Sequence, residues 1–108
     1  MATMTGNPVN GTRFKVNINM TPVDGYNLGN TEWEVTVFVG DGNKCMTIKK
    51  AGCVKVDDDN YLIPIDSAIL GAGTYYVTLK VNFPDADFKD GVRIEKKTGP
   101  TGVTIDAR

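Results

Sequence analysis

The side chains that carry most enzyme chemistry are almost missing from this sequence. It contains no His, and Ser67 is its only Ser. A Ser-His-Asp triad, a Cys-His pair and a His-ligated metal centre therefore cannot be assembled from these residues. Glu32, Glu34 and Glu95 and ten Asp remain as candidate acids and bases. None stands in a spacing that general acid–base catalysis would recognise. The expectation is a chain that is not an enzyme and uses no cofactor.

Asp85-Ala86-Asp87-Phe88-Lys89-Asp90-Gly91 places three carboxylates beside a Gly, which suits a hard cation. The spacing is not that of an EF-hand and no bidentate Glu follows, so solvated carboxylates with a turn at Asp90-Gly91 are the preferred reading. Asp57-Asp58-Asp59-Asn60 reads the same way, as a turn. Lys44, Lys49, Lys50 and Lys55 suggest a basic face, with Tyr61 or Tyr76 as a stacking surface for nucleic acid or sugar. Twelve Lys and Arg against thirteen Asp and Glu leave a net charge of −1, so solvated edge lysines and structural tyrosines are expected instead, with neither nucleic acid nor a membrane as partner. Gly71-Ala72-Gly73 lacks the Gly-Lys-Ser/Thr ending of a phosphate loop and reads as a corner. Cys45 and Cys53 are expected as free thiols, two cysteines being too few for a structural zinc site.

With little chemistry to position, the elements themselves carry the information. The 108 residues hold one domain, and Val, Ile and Thr number 12, 7 and 12 while Leu and Ala together reach 10. β-Branched side chains favour strands. Phe14, Val16, Ile18 and Met20 alternate with polar residues, and Trp33, Val35, Val37 and Val39 alternate with Glu32, Glu34, Thr36 and Phe38. Tyr75, Val77, Leu79, Val81 and Phe83 form the longest such run, expected as a central strand. Shorter strands are read over 44–50, 53–56 and 61–65, with Pro64 implying an edge or a bulge. Thr21-Pro22-Val23-Asp24-Gly25 and Gly40-Asp41-Gly42-Asn43 are turn signals. Ser67 to Ala72 reads as a corner. A return strand over 92–97 is followed by a break at Thr98-Gly99-Pro100 and a last strand over 101–105. The count is about seven or eight antiparallel strands: an all-β sandwich.

The corner Leu70-Gly71-Ala72-Gly73-Thr74-Tyr75 resembles the one that enters the sixth strand of immunoglobulin and fibronectin-type sandwiches. Leu70, Gly73 and Tyr75 match its L-x-x-G-x-Y pattern, and Trp33 resembles the tryptophan at the centre of such cores. The resemblance implies an immunoglobulin-like β-sandwich over 12–108, with Trp33, Val77 and Leu79 in its core. The family's second cysteine falls at Val77, so the inter-sheet disulfide is absent and folding in a cytoplasm is implied. Met1 to Gly6 has neither a basic nor an apolar signal region, which agrees with that expectation. Residues 1–11, small and polar, read as a flexible N-terminal arm.

A second resemblance covers 61–105. Ile63-Pro64-Ile65-Asp66, Phe83-Pro84-Asp85-Ala86-Asp87-Phe88 and Asp90-Gly91-Val92-Arg93 resemble domains of virion proteins from phages of gut Bacteroidales-type bacteria. It implies a virion structural protein synthesised in the host bacterial cytoplasm: a capsid decoration, head-fibre or tail and baseplate anchor. Its partners would be other virion proteins, and itself as a homo-oligomer. The alternative is a carbohydrate- or surface-binding adhesion module in which Tyr26, Phe38 or Tyr76 stacks on sugar rings.

Overall fold

A computed structural model describes residues 8–40 and 44–107. Among the described residues seven strands form in chain order: β1 (Arg13–Asn19), β2 (Glu32–Val39), β3 (Cys45–Lys49), β4 (Val54–Asp57), β5 (Asn60–Asp66), β6 (Gly73–Pro84) and β7 (Val92–Ile105). One 3₁₀ turn (Lys50–Gly52) follows β3, and a single helical turn, α1 (Ser67–Leu70), lies between β5 and β6. The strands make two antiparallel sheets, ordered β1-β5-β4 and β3-β2-β6-β7.

The alternating residues do what their period requires. Val16, Ile18, Ile63 and Ile65 of the smaller sheet share one buried cluster with Trp33, Val35, Val37, Val39, Val81 and Phe83 of the larger. Burial of such side chains contributes roughly 1.5–3 kcal/mol each and is the main stabilising force. Trp33 meets Tyr61 edge-on at 4.9 Å between centroids, and its indole Nε1 donates to the Leu28 carbonyl at 2.9 Å. The ring thus fills the core without stranding its polar atom. Asp24 and Gly25 both take positive φ, 52° and 84°, closing a two-residue turn between Val23 and Tyr26.

Four details depart from the sequence reading. Thr98-Gly99-Pro100 does not end a strand: β7 runs unbroken through it, because Tyr75 is opposed there by Thr101, Gly102 and Val103 in a bulge. The Thr101 hydroxyl donates to the Tyr75 carbonyl at 2.9 Å and accepts from the Val103 amide at 3.0 Å, replacing the lost ladder bonds. β7 is in consequence the longest strand, at 14 residues against 12 for the central β6. Pro64 sits in the middle strand of its sheet. It is tolerated because the β4 ladder reaches only to Leu62, so its missing N–H faces no partner. Val77 and Leu79 are half-buried and pack at the margin of the core.

The turn at Gly40-Asp41-Gly42-Asn43 falls mostly on residues 41–43, outside the described residues, although β2 and β3 pair antiparallel on either side of it. Of segment 1–11, residues 1–7 lie outside the described residues. Pro8 to Gly11 are tied to the fold. Asn10 N donates to Asp106 O and Asp106 N to Pro8 O, each at 2.8 Å, and Gly11 N donates to Ser67 Oγ at 2.9 Å.

The corner into β6 is built by three residues, Asp66, Gly73 and Tyr75. Asp66 caps α1 by accepting from Ala68 N at 3.0 Å. The Tyr75 hydroxyl donates to the Gly71 carbonyl at 2.6 Å, while its ring, fully buried, meets Phe14 edge-on at 5.4 Å. Gly73, at φ 133°, has no room for a Cβ because Val39 Cγ1 already occupies that space. Gly73→Ala should therefore destabilise by at least about 2 kcal/mol in urea unfolding, and Tyr75→Phe by about 1 kcal/mol. Desolvation, helped by Asp66, raises the Tyr75 phenol above its ordinary 10.0. A proton held more tightly in the folded state stabilises fully below that value and is lost as pH climbs through the folded pKa. Stability should thus fall above pH 10, less steeply in Tyr75→Phe.

Candidate binding surfaces

The two sheets are unequal, and the mismatch creates the first candidate surface. Phe83 pairs with Arg93, Val81 with Glu95, Leu79 with Lys97 and Val77 with Gly99. Cross-strand partners share a face, so Arg93, Glu95 and Lys97 project from the inward side of β7, where a core residue would ordinarily stand. Three strands facing four leave that side uncovered. Arg93 lies over the Phe83 ring at 4.9 Å from its centroid and within 3.8 Å of both the Asp85 and Glu95 carboxylates. Beside it a groove of about 300 Å³ opens between the end of β1 and β6–β7. Its floor is Leu79, Val81 and Phe83, one wall is Met20 and Val23, and the other is Glu95 and Lys97.

The edge of β1 adjoins this groove. Thr12 accepts from Ser67 N, and Met20 donates to Asp59 O, so even-numbered positions of the uninterrupted β1–β5 ladder bond inward. The backbone N–H and C=O groups of Lys15 and Asn17 consequently point away from β5, towards an edge with no strand beyond it among the described residues.

The second surface is the outer face of the larger sheet, where register brings distant residues into rows. Thr47, Thr36, Thr78 and Thr98 are successive partners across all four strands. Thr36 and Thr47 hydroxyls lie 3.1 Å apart, and those of Thr78 and Thr98 2.8 Å. The neighbouring row reads Lys49, Glu34, Lys80, Lys96, and the row on the other side Cys45, Phe38, Tyr76, Pro100. Phe38 and Tyr76 stack at 5.6 Å with 18° between planes.

The four lysines singled out from sequence are not gathered. Lys50 is no free edge charge: its ammonium donates to the Gly29 and Thr31 carbonyls at 3.0 and 2.8 Å, bracing the loop before β2. Lys55 stands on β4 of the other sheet, paired at 2.8 Å with Asp58, whose hydrogen bond and charge raise its pKa. Lys80 and Lys96, which join Lys49, were missed because only strand register reveals them. Tyr61 is buried, and Tyr26 lies edge-on against Phe83.

The acidic loops are self-satisfied. Asp57 Oδ1 accepts from Asn60 Nδ2 and Asp59 N, which holds its carboxyl below the usual range. Asp85 and Asp90 accept from Asp87 N and Val92 N. Among the described residues no group of three His, Cys, Asp or Glu side chains converges as for a metal. Cys45 is exposed and Cys53 half-buried, both free. Burial pushes the Cys53 thiol up to about 11, so iodoacetamide at pH 8 should label Cys45 first, with Cys53 reacting only as the pH approaches that value. Equal labelling rates, read by mass spectrometry, would contradict this. No protein-family model, no curated protein and no solved structure matches the chain.

Proposed function

We propose that this chain is a non-catalytic, immunoglobulin-like binding domain that serves as a structural component of a phage virion, anchoring to other virion proteins by strand addition. Several features support the immunoglobulin-like reading. The sheet orders β1-β5-β4 and β3-β2-β6-β7 match strands B-E-D and C′-C-F-G of that fold, with no first strand beside β1 among the described residues. The hydroxyl of Tyr75 bonding back to Gly71 parallels the tyrosine corner at the start of strand F. Trp33 occupies the buried position on the strand equivalent to C.

The observation that carries the functional reading is the place beside β1, which no strand of the described residues fills. Its outward backbone groups border a groove with an apolar floor and a charged wall. A partner strand paired to β1 would extend the smaller sheet over β7 and set alternate side chains onto Leu79 and Val81. Main-chain bonds would supply affinity and the groove specificity. The virion setting rests on the resemblance over 61–105.

Asn17→Pro tests this, because it deletes an outward N–H while leaving the β5 ladder whole. Thermal unfolding should shift little, whereas co-sedimentation of the chain with phage particles in a density gradient should be lost. A wild-type chain that remains monomeric by native mass spectrometry and never travels with particles would overturn the proposal.

A further inference from the structure

The outer face of the larger sheet points to a second ligand, independent of whatever pairs with β1. We infer that this face binds an acidic polysaccharide, one built of uronate-type sugars, laid across the four strands.

The rows already described enclose a shallow depression of about 320 Å³, lined by Glu34, Thr36, Thr47, Thr78, Lys80 and Lys96. Its floor is the threonine row. Each hydroxyl both donates and accepts, which matches the hydroxyls of a sugar better than any ligand offering only one function. Along one side stand Phe38 and Tyr76, a half-buried aromatic pair able to pack on the apolar faces of sugar rings.

Charge selects the class of sugar. Glu34 is 3.5 Å from Lys80 and offsets it. Lys49 and Lys96, at the two ends of the same row, are exposed and have no ion-pair partner among the described residues. Three strand spacings separate them, about 14 Å. Two unpaired ammonium groups in the row beside the threonines, Lys96 lining the trough and Lys49 at the far end of the row, suit a chain carrying carboxylates at intervals, whereas a neutral glycan would leave both unanswered. Over the threonine row itself a protein partner would find no apolar anchor, the aromatic contacts being confined to the Phe38–Tyr76 side.

Calorimetric titration of the full chain with polygalacturonate, dextran and polyphosphate provides the test. Polygalacturonate should bind, and dextran and polyphosphate should each bind at least about tenfold more weakly, lacking either the charge or the sugar rings. The Lys49→Gln, Lys96→Gln double variant, altered only at exposed positions, should lose about tenfold in affinity for polygalacturonate. Tyr76→Ala should weaken polygalacturonate but leave polyphosphate unchanged, and Lys89→Gln, in the distant 85–91 loop, should change neither. Absence of binding to polygalacturonate overturns the inference. So does equal binding of dextran, equal binding of polyphosphate, or a double variant that binds as the wild type does. None of these outcomes bears on strand addition at β1.

Discussion

Three strands cannot cover four, and most of what is distinctive in this molecule descends from that inequality. The smaller sheet lies against β2 and β6 and supplies them with Val16, Ile18, Ile63 and Ile65. β7 receives no such cover over much of its length. Its inward positions are accordingly not apolar: Arg93, Glu95 and Lys97 replace the valines that a closed core would demand, Arg93 lying against Asp85, Glu95 and the Phe83 ring while Glu95 and Lys97 stay exposed. A charge buried without partners would cost several kcal/mol. Here the side chains stay close enough to water for the sheet to keep its fourth strand.

The corner before β6 holds this arrangement in register. β6 is central to the larger sheet and also crosses from the smaller one, so its starting point fixes both. Gly73 brings its backbone against Val39, and Tyr75 ties the strand back to Gly71. The bulge at Thr101–Val103 then lets β7 follow β6 past this point without losing its pairing. Local chemistry at a few residues thus sets the face on which every later side chain emerges, since a shift by one position would exchange inside for outside.

Legibility followed the range of the interactions. Period-2 runs such as Phe14 to Met20 and Trp33 to Val39 could be read directly, because burial of alternate residues is a local property. The corner could be read because Gly73 and Tyr75 are each demanded by their own backbone. Gly99-Pro100 misled because those residues punctuate a chain when considered alone; only the Thr101 hydroxyl, bonded across to β6, shows how the strand continues. Pro64 misled for a related reason, since whether a strand position is an edge depends on where its neighbour stops. The threonine row was invisible. Thr36, Thr47, Thr78 and Thr98 meet only through three separate registers, none of which can be deduced from one strand by itself.

The pairing near the chain's two ends has a mechanical meaning. Val9 and Asp106 run parallel, so the backbone enters this pairing at Pro8 and leaves it at Asp106 at opposite ends of the two paired segments. A pull on both would slide the two segments past each other and load the Asn10–Asp106 and Asp106–Pro8 bonds together, in shear, before any strand could be peeled away. A domain strung between two attachments by these segments would meet tension with its hydrogen bonds acting in concert rather than one after another.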